Sequence, residues 1–182
     1  ALDLSLFSFI EGTKTAAVFT QNIFCAAPVM VAKNHLNSNI QALLINSGNA
    51  NAGTGQKGLE NAYKTCEILA QKLKIQPEQI LPFSTGVIGE ELPLEPFENN
   101  SDILIQSLSD SSISDVARGI MTTDLVEKYY STTFDIDGSN VGKLKEAYDD
   151  CLREKQEIEK SVLLSAIKKY KIMNDKPNPV SL

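Results

Sequence analysis

The chain has 182 residues, of which 42% are hydrophobic and 22% charged, with a formal net charge of -6. This composition is typical of a globular protein with a sizeable core, and the acidic balance argues against nucleic-acid binding, which usually needs a basic stripe. No apolar run approaches the roughly 18 residues of a membrane span, and the three widely spaced cysteines predict neither a zinc site nor a disulfide framework, so we expect a cytoplasmic protein.

The glycines divide the chain into two parts. All ten lie at or before Gly142, whereas residues 143–171 are rich in Lys, Glu, Asp and Leu. Apolar residues recur at helical spacing along this second part. The sequence therefore predicts a body, residues 1–142, and a tail, residues 143–182, that forms a long amphipathic helix, either docked on the body or self-associating.

Hydrophobic periodicity and turn residues predict an α/β fold for the body. The strongest pattern lies at residues 58–75, where apolar residues recur at intervals of three and four and predict an amphipathic helix. In chain order, we expect a strand at 15–22, a strand leading into a helix at 27–36, a buried strand at 40–46, this helix, a strand at 79–83, a turn at 84–89, a helix at 112–121 and a strand at 131–138.

The last of these strands ends in Asp137-Gly138, which is typical of a hairpin turn. Only residues 139–141 separate this turn from the helical pattern of the tail, and we expect them to be too few for a return strand. Since an unpaired strand exposes a row of backbone hydrogen-bonding groups, the body is predicted to be incomplete at this point.

A glycine-rich stretch, NSGNANAGTGQKG at residues 46–58, contains the pattern G-x-G-x-x-G at Gly53–Gly58. A dinucleotide-binding loop has its first glycine directly after a strand and an acidic residue at the end of the next strand. The preceding strand is predicted to end near Asn46, and the next one is followed by serine, so both conditions fail. We interpret the stretch as a wide turn that shapes the wall beside Thr85 and Gly86, and we expect Asn46, Asn49 and Asn51 to satisfy its backbone amides.

The sequence FSTGVIG, residues 83–89, places Thr85-Gly86 after a predicted buried strand. A hydroxyl and a backbone N–H that point in one direction are the minimum needed to stabilise a developing oxyanion. A Thr-Gly step is also common in ordinary turns, so both interpretations stay open from the residues alone. His35, the single histidine, is interpreted as a structural or surface residue, and no G-x-S-x-G motif supports a serine triad.

Four sequence blocks together resemble the ornithine acetyltransferase family, the bifunctional glutamate N-acetyltransferase of arginine biosynthesis. The resemblance extends over residues 2–141, and the common order of four separate blocks makes it specific. The blocks are VFTQNIFCAAPV (18–29), INSGNANAGTGQKGLENA (45–62), LPFSTGVIGEELP (81–93) and ARGIMTTD (117–124). The implied fold is an α/β layered helix–sheet–helix sandwich, to which the tail adds a C-terminal amphipathic helix.

The resemblance implies transfer of an acetyl group from N-acetylornithine to glutamate by a ping-pong route. A family precursor cleaves itself autocatalytically into α and β chains, usually assembled as α2β2, and the new N-terminal threonine of the β chain is the nucleophile, with its own α-amino group as the base. The family's oxyanion hole corresponds to Thr85 and Gly86 of this chain, and its substrate-binding threonine to Thr122 or Thr123. No metal or other cofactor is implied, and acetyl-CoA stays open as an additional acetyl donor.

The chain departs from the family pattern near residue 141. Family members continue with a return strand, a substrate-binding lysine and a cleavage site that ends in the nucleophilic threonine. The last threonine of this sequence is Thr133, so we expect neither the cleavage site nor the nucleophile within these residues. The opening of the family sequence before DLSL is also missing, so we expect an α-chain portion that is incomplete at both ends. Three interpretations stay open: catalysis together with a separate β chain, an inactive truncated member that acts as a binding or assembly module, or a frame change or join near residue 141.

Overall fold

The computed structural model describes residues 3–110, 113–127 and 129, and the backbone of three further short strands. The helices are α1 (Ala27–His35), α2 (Gly55–Leu73), α3 (Glu95–Gln106) and α4 (Ile113–Gly119), with a 3₁₀ turn at Pro77–Gln79. The strands are β1 (Leu4–Ser8), β2 (Lys14–Thr15), β3 (Ala42–Asn49), β4 (Ile80–Val87), β5 (Thr133–Ile136), β6 (Ser139–Gly142) and β7 (Ile167–Lys168). This mixture of helices and strands confirms the predicted α/β class.

The central sheet has the strand order β1-β3-β4. β1 runs antiparallel to β3, with Leu4 opposite Asn46, and β3 runs parallel to β4, with Ala42 opposite Ile80. Two parallel neighbours need a crossover connection, and α2 supplies it. The carboxyl ends of β3 and β4 therefore lie side by side, which brings the glycine-rich stretch next to Thr85-Gly86.

One face of this sheet packs against helices. Because side chains alternate along a strand, Leu6, Leu44 and Ile80 point to the same face, where they join a cluster with residues of α1, α2 and α3. The opposite face carries a smaller cluster around Leu43 and Leu81, with half-buried aromatic side chains beside it. The sheet is thus well covered by helices on one face and only partly covered on the other.

The strongest helix prediction, residues 58–75, is confirmed by α2. Its buried residues include Ala62, Cys66 and Leu69, which recur at the spacing of one helical face. The helix begins earlier than predicted, at Gly55, and ends where Lys74 takes a left-handed conformation with φ of 58°. Burial raises the pKa of the Cys66 thiol to about 12, so this cysteine is a neutral core residue.

Several other predictions differ from the structure. Of the strand predicted at 15–22, only Thr15 is in a strand, while residues 16–26 are irregular, because the β-branched and aromatic residues of this stretch have no neighbouring strand to pair with along their length. The element at 27–36, predicted as a strand leading into a helix, is helical from its first residue and forms α1. The sequence patterns do not predict β1 or α3, and α3 buries only Phe97 and Ser101, which gives a weak periodic signal.

The prediction that the hairpin lacks a return strand is wrong. β5 pairs antiparallel with β6, with Thr133 opposite Gly142 and Ile136 opposite Ser139. Four residues on each side are enough for a hairpin when only two residues lie between the strands. The incompleteness inferred from an unpaired strand at this point therefore loses its basis.

The tail lies outside the described residues except at one place. There, Ile167–Lys168 forms a strand paired antiparallel with Lys14–Thr15, where the sequence predicts helix. The β-branched isoleucine suits this pairing better than the helix. The division into a body, 1–142, and a tail, 143–182, stays a prediction.

Candidate active site

Thr85 and Gly86 lie within β4, in which Thr85 is opposite Ser47 and Gly86 is opposite Gly48. The turn predicted at 84–89 is therefore wrong for residues 84–87. These residues belong to β4, because its parallel ladder to β3 continues through Gly86 to Val87. The same correction applies to β3, which ends at Asn49 rather than near Asn46. The ladder to β3 fixes where Thr85 and Gly86 lie relative to Ser47 and Gly48.

Gly48 and Gly86 form a pair of glycines with unusual backbone conformations. Their φ angles are +119° and +127°, which side chains disfavour. A Cβ built on Gly86 would lie 2.3 Å from the carbonyl carbon of Gly48 and 2.7 Å from the amide nitrogen of Asn49, whereas a Cβ on Gly48 would meet nothing within 4 Å. Gly86 therefore allows the two strand backbones to approach closely at the point where the candidate oxyanion hole lies.

The register also fixes the face of the sheet on which the candidate side chains lie. Residues opposite each other on neighbouring strands place their side chains on one face, so the hydroxyls of Ser47 and Thr85 lie on the partly covered face of the sheet. The carbonyl of Val87 accepts a hydrogen bond from Ala50 of the β3 side at 2.8 Å. Backbone groups alternate along the regular part of β4, whereas Gly86, at φ of +127°, departs from regular strand geometry.

The same alternation explains the single histidine. The carbonyl of Ile80 points away from β3 and accepts a hydrogen bond from Nδ1 of His35 at 2.8 Å. His35 is buried and its ring lies against Tyr63, with 5.6 Å between ring centroids. This confirms that His35 is a structural residue that anchors α1 to the edge of β4.

The glycine-rich stretch is held by its own asparagine side chains. Nδ2 of Asn51, a fully buried residue, donates to the carbonyl of Gly58 at 2.8 Å, and its Oδ1 accepts from the Thr54 hydroxyl at 2.9 Å. Asn49 accepts from the amide of Asn51 at 2.7 Å and donates to the loop that follows β4, at Glu90. These bonds confirm that asparagines satisfy the backbone here.

Two details of that interpretation need correction. Asn46 lies in β3 and donates to the hydroxyl of Ser84 at 2.7 Å, so it does not belong to the turn. The distance from the end of β3 to Gly53 is also shorter than the sequence predicts, which weakens one objection to a phosphate loop. Gly58 provides a different argument against a phosphate loop. A Cβ there would lie 1.8 Å from the hydroxyl oxygen of Thr54, so this glycine makes room for the packed side chains of the turn.

The threonines of the TTD block follow α4 and are exposed. No hydrogen bond joins Thr122 or Thr123 to Thr85 in the described part of the chain. The start of their segment is nevertheless attached to β3, since the hydroxyl of Ser47 donates to the carbonyl of Gly119 at 2.6 Å. Sequence reasoning missed Ser47, although it lies inside the INSGNANAG block, because the extent of β3 and its register with Thr85 were not predicted.

A charged cluster holds the other end of that segment. The carboxylate of Glu127 accepts hydrogen bonds from the hydroxyl of Ser114, at 2.7 Å, and from the guanidinium of Arg118. The Ser114 bond, followed by the Arg118 bond, lowers the pKa of Glu127, and the Glu127 contact raises the pKa of Arg118. Residues 119–127 therefore form a loop, the threonine loop, that is attached at both ends.

Exposed apolar side chains lie next to the candidate site. Phe24 and Ile88 are 67% and 60% exposed, and both lie beside Gly53, where a Cβ would be 3.3 Å from the Phe24 ring. Val87, 49% exposed, directly follows Gly86. We call Phe24, Val87 and Ile88 the apolar rim, and clustered exposure of this kind is typical of a surface that another element covers.

Over the residues that the structure describes, no group of three or more His, Cys, Asp or Glu side chains could hold a metal ion. In the same residues, no helix is both long and apolar enough to cross a membrane.

Comparison with known proteins decides the family. The sequence model of the ArgJ family matches residues 1–145, a range that contains Thr85-Gly86 and the TTD block. The chain belongs to the ArgJ family. This confirms the resemblance seen in the four sequence blocks, and one of the solved structures that the chain resembles is an ornithine acetyltransferase.

The ArgJ relatives show how much of a family member this chain represents. It is 45% identical over 139 residues to the arginine biosynthesis bifunctional protein ArgJ of Pseudomonas syringae pv. tomato, a match that covers 76% of this chain and 34% of that protein. The ArgJ of Methylococcus capsulatus is 46% identical over 139 residues, with the same coverage. The chain thus spans about a third of the length of the curated relatives it matches.

Two solved ArgJ structures have the same fold. The Bacillus halodurans ArgJ is 25% identical with a TM-score of 0.64, and the match covers 97% of this chain and 90% of that one. The Mycobacterium tuberculosis ornithine acetyltransferase, solved in complex with ornithine, is 28% identical with a TM-score of 0.64, and the match covers 77% of this chain and 71% of that one. These likenesses confirm the predicted ornithine acetyltransferase type of fold.

Proposed function

We propose that this chain is the α-chain part of an acetyltransferase that moves an acetyl group from N-acetylornithine to glutamate in arginine biosynthesis. The observation that carries the proposal is the family match over residues 1–145, because it includes the Thr85-Gly86 step that the strand register holds in place. Thr85 and Gly86 form the oxyanion hole, and Thr122 or Thr123 contacts the substrate.

The reaction follows from these roles. A threonine hydroxyl on a second chain attacks the acetyl carbonyl of N-acetylornithine, and its proton passes to the leaving ornithine amine. The tetrahedral intermediate carries a negative oxygen, which accepts hydrogen bonds from the Thr85 hydroxyl and the Gly86 N–H. The acetyl-threonine ester then transfers its acetyl group to the amine of glutamate and restores the threonine hydroxyl.

The lengths of the relatives support a second chain. This chain covers 90% of the solved Bacillus chain but only 34% of the Pseudomonas protein, so a solved family chain can be far shorter than a whole family sequence. The apolar rim beside Gly86 also supports a partner, since covering exposed Phe and Ile side chains is favourable at about 25 cal/mol per Å² of buried apolar surface. We propose that the partner is a β chain of the same enzyme, in an α2β2-like assembly.

The test is complementation. The chain alone is expected to show no acetyl transfer from N-acetylornithine to glutamate, and transfer should arise when it is produced with the remaining, C-terminal part of the Pseudomonas relative. Robust turnover by the isolated chain would overturn the divided site. The same assay with acetyl-CoA as donor determines whether that second activity is present.

A second candidate function is a binding or assembly module without catalysis, and the exposed apolar rim favours it, since such a surface is typical of a contact with another chain. Size-exclusion chromatography and pull-down with the β-like fragment separate the two. A chain that is monodisperse alone and does not bind the fragment supports the module, whereas aggregation that co-production removes supports the enzyme.

A further inference from the structure

The bond between Ser47 and Gly119 joins two parts of the candidate site. Gly119 is the last residue of α4 and is buried, and the final carbonyls of a helix have no partner within the helix. The hydroxyl of Ser47 supplies one at 2.6 Å. The bond connects residues 72 positions apart, so it fixes where the chain leaves α4 relative to β3.

Ser47 itself has a backbone partner on each side. Its amide donates to the carbonyl of Asp3 at 2.9 Å on one side, and its Cα is paired with that of Thr85 on the other. Because register partners share a face, the Ser47 hydroxyl and the Thr85 side chain lie on the same side of the sheet. The α4 terminus that Ser47 holds is therefore on this side too, and the threonine loop starts there.

The far end of the loop has its own attachment. Glu127 is bonded to Ser114 and Arg118, both on α4, so the loop returns to the helix from which it starts. Thr122 and Thr123 lie between the two attachments. The Glu127 cluster closes the loop on α4, whereas the Ser47 bond joins the start of the loop to β3, the strand paired with the one that carries Thr85.

We propose that Ser47 is a positioning residue of this site: its hydrogen bond to the Gly119 carbonyl sets the threonine loop over the sheet face that carries Thr85. The proposal rests on the proposed function for its catalytic consequence, but not for its structural one. Ser47 does not contact the reacting atoms, and it acts through the position of Thr122 and Thr123.

The first measurement is amide hydrogen exchange of the whole chain, followed in peptides that cover residues 113–127. Ser47→Ala leaves a buried carbonyl without its donor, so we expect exchange in this region to become roughly five- to tenfold faster. Ser47→Thr keeps the hydroxyl in a β-branched residue that suits a strand, and it should restore slow exchange. Ser84→Ala is the matched control, because it removes the bond to Asn46 on the opposite face of the same sheet.

The second measurement uses the complemented enzyme. Ser47→Ala should raise KM for N-acetylornithine by about five- to tenfold with a smaller change in kcat, since the lost bond displaces a substrate-binding loop rather than the oxyanion hole. Ser47→Thr should bring KM back toward the unmodified value. Unchanged exchange in Ser47→Ala, or equally faster exchange of residues 113–127 in Ser84→Ala, would overturn the positioning role. A complemented wild type without activity would count against the proposed function alone, because the exchange result does not depend on turnover.

Discussion

Replacing Gly86 by alanine tests whether the close approach of β3 and β4 is required. The substitution adds a Cβ that would lie 2.3 Å from the carbonyl carbon and 2.5 Å from the carbonyl oxygen of Gly48. These are backbone atoms, so a side-chain rotation cannot relieve the overlap. Gly48→Ala is the matched control, since it introduces the same side chain at a similar φ into open space.

The two substitutions share one cost and differ in another. A residue with a side chain at such a positive φ costs about 1–3 kcal/mol, of which roughly 0.4–1 kcal/mol is offset by the lower entropy of the unfolded chain. Gly48→Ala should therefore destabilise the chain by about 1–2 kcal/mol. Gly86→Ala must also move one strand away from the other, at a further cost of about 1–3 kcal/mol, as in an overpacked core.

Urea denaturation followed by circular dichroism measures the difference. With a slope of about 1–3 kcal/mol per M, the midpoint for Gly86→Ala should lie below that for Gly48→Ala by roughly 1 M. In the complemented enzyme, Gly86→Ala should also lower kcat more than Gly48→Ala does, because the displaced strand carries the proposed oxyanion-hole amide. Equal midpoints for the two variants, or a lower midpoint for Gly48→Ala, would refute the argument from strand separation.

Three further predictions concern the proposed oxyanion-hole residue Thr85, the glycine-rich turn and the threonine loop. In the complemented enzyme, Thr85→Ala should cost about 2.7–4 kcal/mol of transition-state stabilisation, read as a loss in kcat, while Thr85→Ser should retain most of the activity; full kcat in the alanine variant would exclude an oxyanion role. Gly58→Ala should destabilise the chain by about 1–3 kcal/mol in the same urea assay, because its Cβ overlaps the Thr54 hydroxyl oxygen, and the double variant with Thr54→Ala should recover part of that loss; no recovery would show that the helix backbone, rather than this contact, sets the cost. The hydrogen bonds that lower the pKa of Glu127 stabilise its carboxylate, so their contribution to the stability of the loop is present above the ordinary glutamate pKa and is lost as the pH falls through the lowered pKa. Amide exchange in residues 113–127 should therefore become faster over that acidic range. The Glu127→Gln variant should not show this pH dependence.

The sequence predicted the elements whose pattern is set by their own packing. α2 is recognisable because one of its faces is buried along five turns, and the apolar run 40–46 is recognisable because both sheet faces at that position are covered. β1 and α3 were not predicted, because their burial depends on distant partners: β1 becomes a strand only when it pairs with β3, and α3 buries two residues against the cluster formed by other elements.

The carboxyl ends of β3 and β4 were the least predictable part of the fold, and they carry the proposed site. Both β3 and β4 extend past their apolar runs into serine, threonine and glycine, residues that are typical of turns. What keeps these segments extended is the ladder between them, together with the bonds that Asn46 and Asn49 make across to β4 and its following loop. Such pairing over nearly forty residues leaves no trace in a local pattern.

This explains why the most conspicuous motif, the glycine-rich stretch, and the proposed oxyanion hole at Thr85-Gly86 lie in different sequence blocks. The glycine-rich stretch looks like a phosphate loop because it supplies glycines at close spacing, yet Gly58 makes room for Thr54 and Asn51, which are bonded to each other. The stretch instead fixes the carboxyl end of β3, and β3 in turn sets the register of Ser47 with Thr85. The asparagines and glycines that identify the family thus act one strand away from the proposed oxyanion hole, by holding in place the strand next to it.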